Sequence, residues 1–358
     1  HDHKFDPIST RDYYALVGIL ESSRQVVQTI DTPGRIKFQV ERLDSLKKDI
    51  RRLLADEWLA ALSDVDEIIL TALQSKPPSG DDAEKTATPL VKQLSREKVA
   101  MEDPVSILQR IARLQSDEEV RIAWATARTA YQQEQSNRAK FNAENFKRWL
   151  SFDAEQQAGW HAAGLGPGDR PLPAGEFVVA LTGDAAVTVV LPAGIYTHIL
   201  SSRLNGTFQS PWMPGDRKHV SVQFLGGGLS MIRSVVDSCA LNEYVGGGLE
   251  YLSNDDMQWR TYPPRVDSSH RAFLELTTKS DNVRWPDRPG VAGKDEALLQ
   301  SPRSWFGVVK AVVHDCDKTP QPELNHLLPL FEQPDPARLS DVAKTFRSVC
   351  HDALDDWK

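Results

Sequence analysis

The 358 residues are 40% hydrophobic and 26% charged, the balance of a folded, soluble protein, and their formal charge of -8 disfavours nucleic acid, which selects a basic face. No apolar run approaches the about 18 residues that a membrane span needs. The length exceeds one ordinary core and suggests two or three domains.

No signal peptide, lipidation box or initiating methionine is present, so the chain reads as a processed or excised piece of a longer protein. Cys239, Cys316 and Cys350 are too few for a disulfide framework, and none lies in a CxxC pair. One bridge with a free thiol, or three thiols, are both open.

The chain opens on His1-Asp-His3 with Asp6, a metal-capable composition at an end where exposure and fraying are the default. Tyr13, Leu16, Val17, Ile19 and Leu20 predict a short amphipathic helix, ended at Asp31-Thr-Pro-Gly34. Leu43, Leu46, Ile50 and Leu53, at spacings of 3, 4 and 3, and then Leu54, Trp58, Leu62, Val65, Ile69 and Leu73, predict a helix of about 35 residues. Lys76-Pro-Pro-Ser-Gly-Asp81 ends it. Leu108, Ile111 and Leu114 restart the period, and Ser116 with Glu119 has capping-box spacing. Val120, Trp124, Ala127 and Tyr131 then mark a second long helix. Two long helices joined by a polar link predict an antiparallel hairpin.

After Trp149 the texture changes. Runs at 177–181, 187–191, 196–200, 220–224, 232–236, 272–276 and 305–313 are short and rich in β-branched or aromatic residues, with Gly, Pro, Asp and Asn between them. No long helices alternate with them, so a β-sandwich is expected rather than a parallel sheet. Gly226-Gly-Gly228 and Gly246-Gly-Gly248 read as turns or bulges. From Lys318 a Pro-rich stretch leads to a helix carrying Leu339, Val342, Ala343, Phe346, Val349 and Ala353. The expected fold class is therefore α+β and multidomain. Its parts are residues 1–30, a helical hairpin or coiled-coil-like region over 31–150, a sandwich over 151–317, and a linker with a C-terminal helix over 318–358.

The segment His1-Asp-His-Lys-Phe-Asp-Pro-Ile8 with Asp12-Tyr-Tyr-Ala-Leu16 resembles a stretch of the large planctomycete cytochrome-c-type proteins, with further echoes at 274–279, 281–288, 304–307 and 353–357. In that family a CxxC pair directly precedes the histidine. The resemblance implies that His1 is the axial haem histidine of the parent protein and that residues 1–30 end a helical cytochrome-associated domain. The porphyrin-bearing cysteines are not in this chain, so no cofactor is expected in this piece itself. It also implies a periplasmic, cell-surface or secreted location, with neighbouring domains of the parent as partners.

A second resemblance covers the strand-rich half. Leu204-Asn-Gly-Thr-Phe-Gln-Ser-Pro-Trp212, Val220 to Phe224 with Gly226-Gly-Gly228, Val235-Val-Asp237, and Ser304-Trp-Phe-Gly307 through His314-Asp315 are similar to the galactose-binding-like jelly roll. Such modules bind sugars, often beside a structural calcium. Sugar recognition wants an aromatic platform and polar groups for the hydroxyls. Trp212 and Trp259 are the candidate platforms, and Arg203, Asn205, Arg233, Asn242 and Glu243 the candidate polar contacts. For each tryptophan the competing reading is burial, and for Arg233 a solvated surface arginine. Asp184, Asp216 and Asp281 are turn-located oxygen donors of the kind calcium takes, and equally ordinary turn formers.

His314-Asp-Cys316-Asp317 holds the ingredients of an activated thiol, since alternation on a strand puts His314 and Cys316 on one side. A buried or bridged thiol is the competing reading. Asp255-Asp256 reads as a turn with no second carboxylate placed opposite it. The expected function is a non-catalytic, carbohydrate-binding and spacer portion of an exported cytochrome-associated protein. The alternatives are a purely structural or protein-interaction module, and a polysaccharide hydrolase.

Overall fold

The structure, a computed structural model, describes residues 9–23, 33–76, 87–96, 99–152, 159–168, 170–240, 249–263, 269–282 and 296–358. The chain divides into two compact units: His1–Asp44 with Asn145–Thr319, and Ser45–Glu144 with Pro320–Lys358. The helices described are α1 (Thr10–Ser22), α2 (Pro33–Ala61), α3 (Val65–Gln74), α4 (Pro89–Leu94), α5 (Val105–Ile111), α6 (Asp117–Asn145), α7 (Glu296–Gln300), α8 (Leu328–Glu332) and α9 (Leu339–Trp357). None is long and apolar enough to cross a membrane.

Local chemistry sets the helix starts. At α4, Thr88 Oγ1 accepts from the Val91 amide and Pro89 occupies the first turn, where its missing N–H costs nothing. The expected capping box opens α6. The Glu119 amide donates to Ser116 Oγ at 3.3 Å, while Glu119 Oε2 accepts from the amides of Gln115 (2.9 Å) and Ser116 (3.0 Å). Those amides, Gln115 first, hold the Glu119 carboxyl below its usual range.

The helical unit closes its core differently from a hairpin of two long helices. Val120, Trp124, Ala127 and Tyr131 of α6 pack with Ile69, Ala72 and Leu73 of α3, Ile107, Leu108 and Ile111 of α5, Phe331 of α8, and Val342, Ala343 and Phe346 of α9. The single helix expected over 43–73 is two. A 3-10 turn at Leu62–Asp64 separates α2 from α3, and α3 carries the part of the stripe that enters this core. Periodicity alone reads through such a turn, because it changes the backbone for only three residues.

In the other unit the strands are β1 (Phe146–Ser151), β2 (His161–Ala163), β3 (Glu176–Val179), β4 (Val187–Leu191), β5 (Ile195–Tyr196), β6 (Thr207–Gln209), β7 (His219–Gly227), β8 (Met231–Val236), β9 (Glu250–Tyr251), β10 (Asn254–Tyr262), β11 (Ala272–Thr277) and β12 (Trp305–His314). One five-stranded sheet runs β1-β12-β7-β10 with β5 also on β12, a second runs β2-β6-β11-β8-β9, and β3 and β4 pair separately. The pairings are antiparallel.

One core joins the two five-stranded sheets. Val220, Val222, Phe224, Val308, Ala311 and Val313 from the first pack with Phe208, Ile232, Val236, Ala272, Leu274 and Leu276 from the second. Two antiparallel sheets face to face over a shared core make a β-sandwich. Asp255 and Asp256 lie within β10 rather than in a turn. The turn between β7 and β8 has Gly228 at φ +63°, and a Cβ there would run into the Arg303 carbonyl, so only glycine fits.

His314 ends β12 almost fully buried at 1% exposure. Its Nε2 lies 2.7 Å from Ser221 Oγ and its Nδ1 2.8 Å from the Cys316 carbonyl. Cys316 Sγ is 3.6 Å from the same Nδ1, so the two residues do meet. The ring is committed on both nitrogens, however, and Ser221 is wholly buried, so this is packing chemistry rather than an activated thiol. All three cysteines are free.

Burial holds the His314 pKa below its ordinary 6.5, with His219 adding to the shift and Asp315 and Asp317 opposing it. The unfolded chain therefore takes up a proton before the folded one does. This contribution to stability is complete above about pH 6.5 and is lost as the pH falls from there through the depressed folded value. Urea unfolding midpoints are expected to drop between about pH 7.5 and 5.5, and His314→Gln is expected to flatten that dependence.

Candidate binding face

Strand alternation assigns the other face of the second sheet, most of which is itself buried: Met231, Arg233, Val235, Glu275 and Thr277 are 0–2% exposed. Ile232 and Val236 of β8 and Ala272, Leu274 and Leu276 of β11 point into the core. Met231, Arg233 and Val235, and Phe273, Glu275 and Thr277, therefore line the opposite face. Across it, His161 registers with Gln209, Gln209 with Glu275, and Glu275 with Arg233. Four strands thus contribute one polar row.

The centre of the row is an ion pair. Arg233 donates from Nε and Nη2 to Glu275 Oε2 at 2.8 and 2.5 Å, and Gln209 Nε2 donates to Glu275 Oε1 at 2.9 Å. Arg233 is 2% and Glu275 0% exposed, so Arg233 is a buried structural cation and not the solvated surface arginine considered from the sequence. Its Nη1, and Oγ1 of Thr277 one step along the same face of β11, are buried without a hydrogen-bond partner among the described residues.

Next to this row lies an aromatic corner. Trp212 is 37% exposed. The Phe273 ring meets it edge to face at 5.4 Å and 73°, and the Arg271 guanidinium sits 4.4 Å over the indole. Arg271 is anchored in turn, its amide donating 3.0 Å to Asp237 Oδ1, while Asp237 Oδ2 also bonds His270. The Arg271 amide, then His270, keep the Asp237 carboxyl below its usual range. A held, part-exposed indole beside the accessible groups of Gln209, His161 and Arg271 has the chemistry to take a sugar ring and its hydroxyls.

The other expected contacts are placed elsewhere. Trp259 lies on β10 of the first sheet, opposite Gln223, half-buried with Lys310 Nζ 5.7 Å from its ring, so the two candidate platforms belong to different sheets. Asn205 is a loop fastener. Its Nδ2 donates to both oxygens of Asp281 at 3.2 and 3.1 Å, and its Oδ1 accepts from the Leu165 amide at 3.4 Å. Arg203 is exposed on the same loop, its amide on Ser201 Oγ. Asn242, Glu243 and His1 lie outside the described residues.

Asp281 is buried on Asn205 and Thr278, whereas Asp184 and Asp216 are exposed on two other loops. Among the described residues no group of three or more acidic, histidine or cysteine side chains is arranged to hold a metal. The three carboxylates considered for calcium lie in separate segments of the chain, before β4, before β7 and after β11. What the sequence reading missed is Gln209, Arg271, Phe273 and Glu275. Their signal was the strict alternation Arg271, Phe273, Glu275, Thr277 against Ala272, Leu274, Leu276.

No protein-family model matches the chain. No curated protein matches it either. Among solved structures, TmCBM61, determined in complex with β-1,4-galactotriose, is matched over 47% of this chain and 99% of that one, at 8% identity and a TM-score of 0.26. The K2 cleaved adhesin domain of Lys-gingipain is matched over 46% and 96%, at 8% identity and a TM-score of 0.25. A family two carbohydrate esterase from Cellvibrio japonicus is matched over 46% of this chain and 36% of that one, at 10% identity and a TM-score of 0.20. Likenesses at these TM-scores carry no weight for function, which rests on the residues of this chain.

Proposed function

We propose that the strand-rich unit is a carbohydrate-binding module that takes a glycan at the Trp212 corner of its second sheet. Trp212 is the stacking platform and the flanking polar groups Gln209, Arg271 and His161 meet hydroxyls. The observation that carries this reading is the Trp212 corner: a large apolar ring kept part-exposed, and held by Phe273 and Arg271 instead of being folded into the core. Arg233 and Glu275 support the face from beneath. The galactose-binding-like jelly roll is our reading of the sandwich, and the similarity of residues 204–212 and 220–237 to that family supports it. The similarity of residues 1–24 to planctomycete cytochrome-c-type proteins supports a place in an exported, cytochrome-associated parent, with the module acting there as recognition and spacer element.

The hydrolase alternative has less behind it. Glu275, the fully buried carboxylate of this face, is tied to Arg233 and Gln209, the reverse of the free acid that glycoside cleavage needs. Affinity-gel electrophoresis against a panel of soluble polysaccharides, followed by isothermal titration with the best oligosaccharide, tests the proposal. Trp212→Ala is expected to weaken binding about tenfold or more and to lower stability by about 1–2 kcal/mol through the lost Phe273 and Arg271 contacts, with the unit still folded. Affinity untouched by that substitution, or no retardation by any polysaccharide, removes the reading and leaves an assembly module.

A further inference from the structure

We propose that α2 pairs with the α2 of a second copy of this chain as an antiparallel, two-stranded coiled coil. Along it Ile36, Gln39, Leu43, Leu46, Ile50 and Leu53 follow one another at alternating spacings of three and four. That is the a/d repeat whose seam a second helix covers. Leu43, Leu46 and Leu53 are 38%, 49% and 60% exposed, so among the described residues none closes over them. The side used within the chain adjoins the seam: Lys47 and Ala55 are buried, Ile36 and Ile50 are half-buried, and Trp58 stacks on Trp357 at 5.3 Å.

The flanking charges select both the occupant and its direction. In the same frame the g positions are Arg35, Arg42, Asp49 and Asp56, two cations followed by two anions. When Leu43 layers against Leu46 of the second copy in antiparallel sense, g positions meet g positions. Arg42 then faces Asp49 of the other copy and Arg35 faces Asp56, and the two-fold axis repeats each pair. The same register layers Ile36 against Leu53 and Gln39 against Ile50, so one polar seam residue pins the alignment. A parallel pair would place Arg42 against Lys47, like against like. The helix is self-complementary in one orientation only.

Asp49 and Asp56 bond Arg52 and Lys358 within the chain at 3.5 and 2.7 Å, with carboxylates still 59% and 50% exposed and so open to a second cation. The central Arg42–Asp49 pair is the one to test. Light scattering of the full chain over a concentration series up to about 100 µM is expected to show a dimer. Leu46→Lys is expected to give a monomer with unchanged circular dichroism. Arg42→Asp and Asp49→Arg are each expected to weaken the dimer about tenfold, and the double variant to restore it, because the pair is rebuilt with its signs exchanged.

Direction is read with spin labels. Labels at Ser45 are expected to be close across the axis, and labels at Lys37 to be separated by roughly 22 Å along it. A monomer throughout the range, a dimer indifferent to Leu46→Lys, a double variant no tighter than the singles, or equal distances at the two label sites would each overturn the proposal.

Discussion

Arg233→Ala is expected to lower the stability of the strand-rich unit by about 3–5 kcal/mol, the usual cost of removing one partner from a buried ion pair. The reason is what stays behind. Glu275 has no exposure, and losing Arg233 removes both guanidinium bonds, at 2.8 and 2.5 Å, that balance its charge in the interior. Replacing both partners, as Arg233→Met with Glu275→Leu, is expected to recover most of the loss, because no stranded charge remains and the new side chains fill similar volume. Guanidinium unfolding followed by tryptophan fluorescence measures both. A loss under about 1 kcal/mol for Arg233→Ala would mean that water reaches the pair. The double variant also separates support from contact: if Arg233 and Glu275 only hold the face from beneath, binding persists in the refilled sheet.

Trp124→Ala is the corresponding experiment in the helical unit, with an expected cost of about 3–5 kcal/mol from lost burial plus the cavity left behind. Trp124 is 1% exposed, with its ring 5.3 Å from Phe331, whose other neighbour is Tyr131 at 5.4 Å. The three rings bridge α6 and α8, so removing the largest leaves a hole that helices fixed by α3, α5 and α9 cannot collapse into. Among the described residues its indole Nε1 has no hydrogen-bond partner, which makes the contribution one of volume and contact rather than polarity. Thermal unfolding followed at 222 nm reads this directly. Trp124→Phe, which keeps a ring in place, is expected to recover about half of the loss. Equal midpoints for Trp124→Ala and the parent would show that the α6 stripe does not hold this unit together.

These residues also show where sequence reading was sufficient. Val120, Trp124, Ala127 and Tyr131 were legible because a buried helical face needs apolar side chains at three- and four-residue intervals, whatever covers it. The Ser116–Glu119 cap was legible because both its bonds close within one turn. The strands β4, β8, β11 and β12 announced themselves through β-branched runs. By contrast β1, which begins directly at the end of α6, and β10, with its adjacent aspartates, carry too much charge to look like strands. They are strands because β12 and β7 offer them free backbone edges. The expected sugar-contact set was a list of suitable residue types, and the structure separated it. Trp212 and Arg233 share a sheet face, Trp259 lies on the other sheet, and Asn205 is consumed by Asp281.

By itself, then, the sequence determined a helical portion followed by an antiparallel strand-rich portion and the positions of most buried stripes. Each of these depends on residues close in the chain, where spacing alone dictates geometry. Only the tertiary structure decided that α6 is covered by α3, α5, α8 and α9, that Arg233 is neutralised by Glu275, and that Trp212 stands beside Phe273 and Arg271. Those contacts join segments dozens to hundreds of residues apart. Which partner satisfies a buried charge or an apolar face is fixed by the competition among all available surfaces, and no local pattern records its outcome.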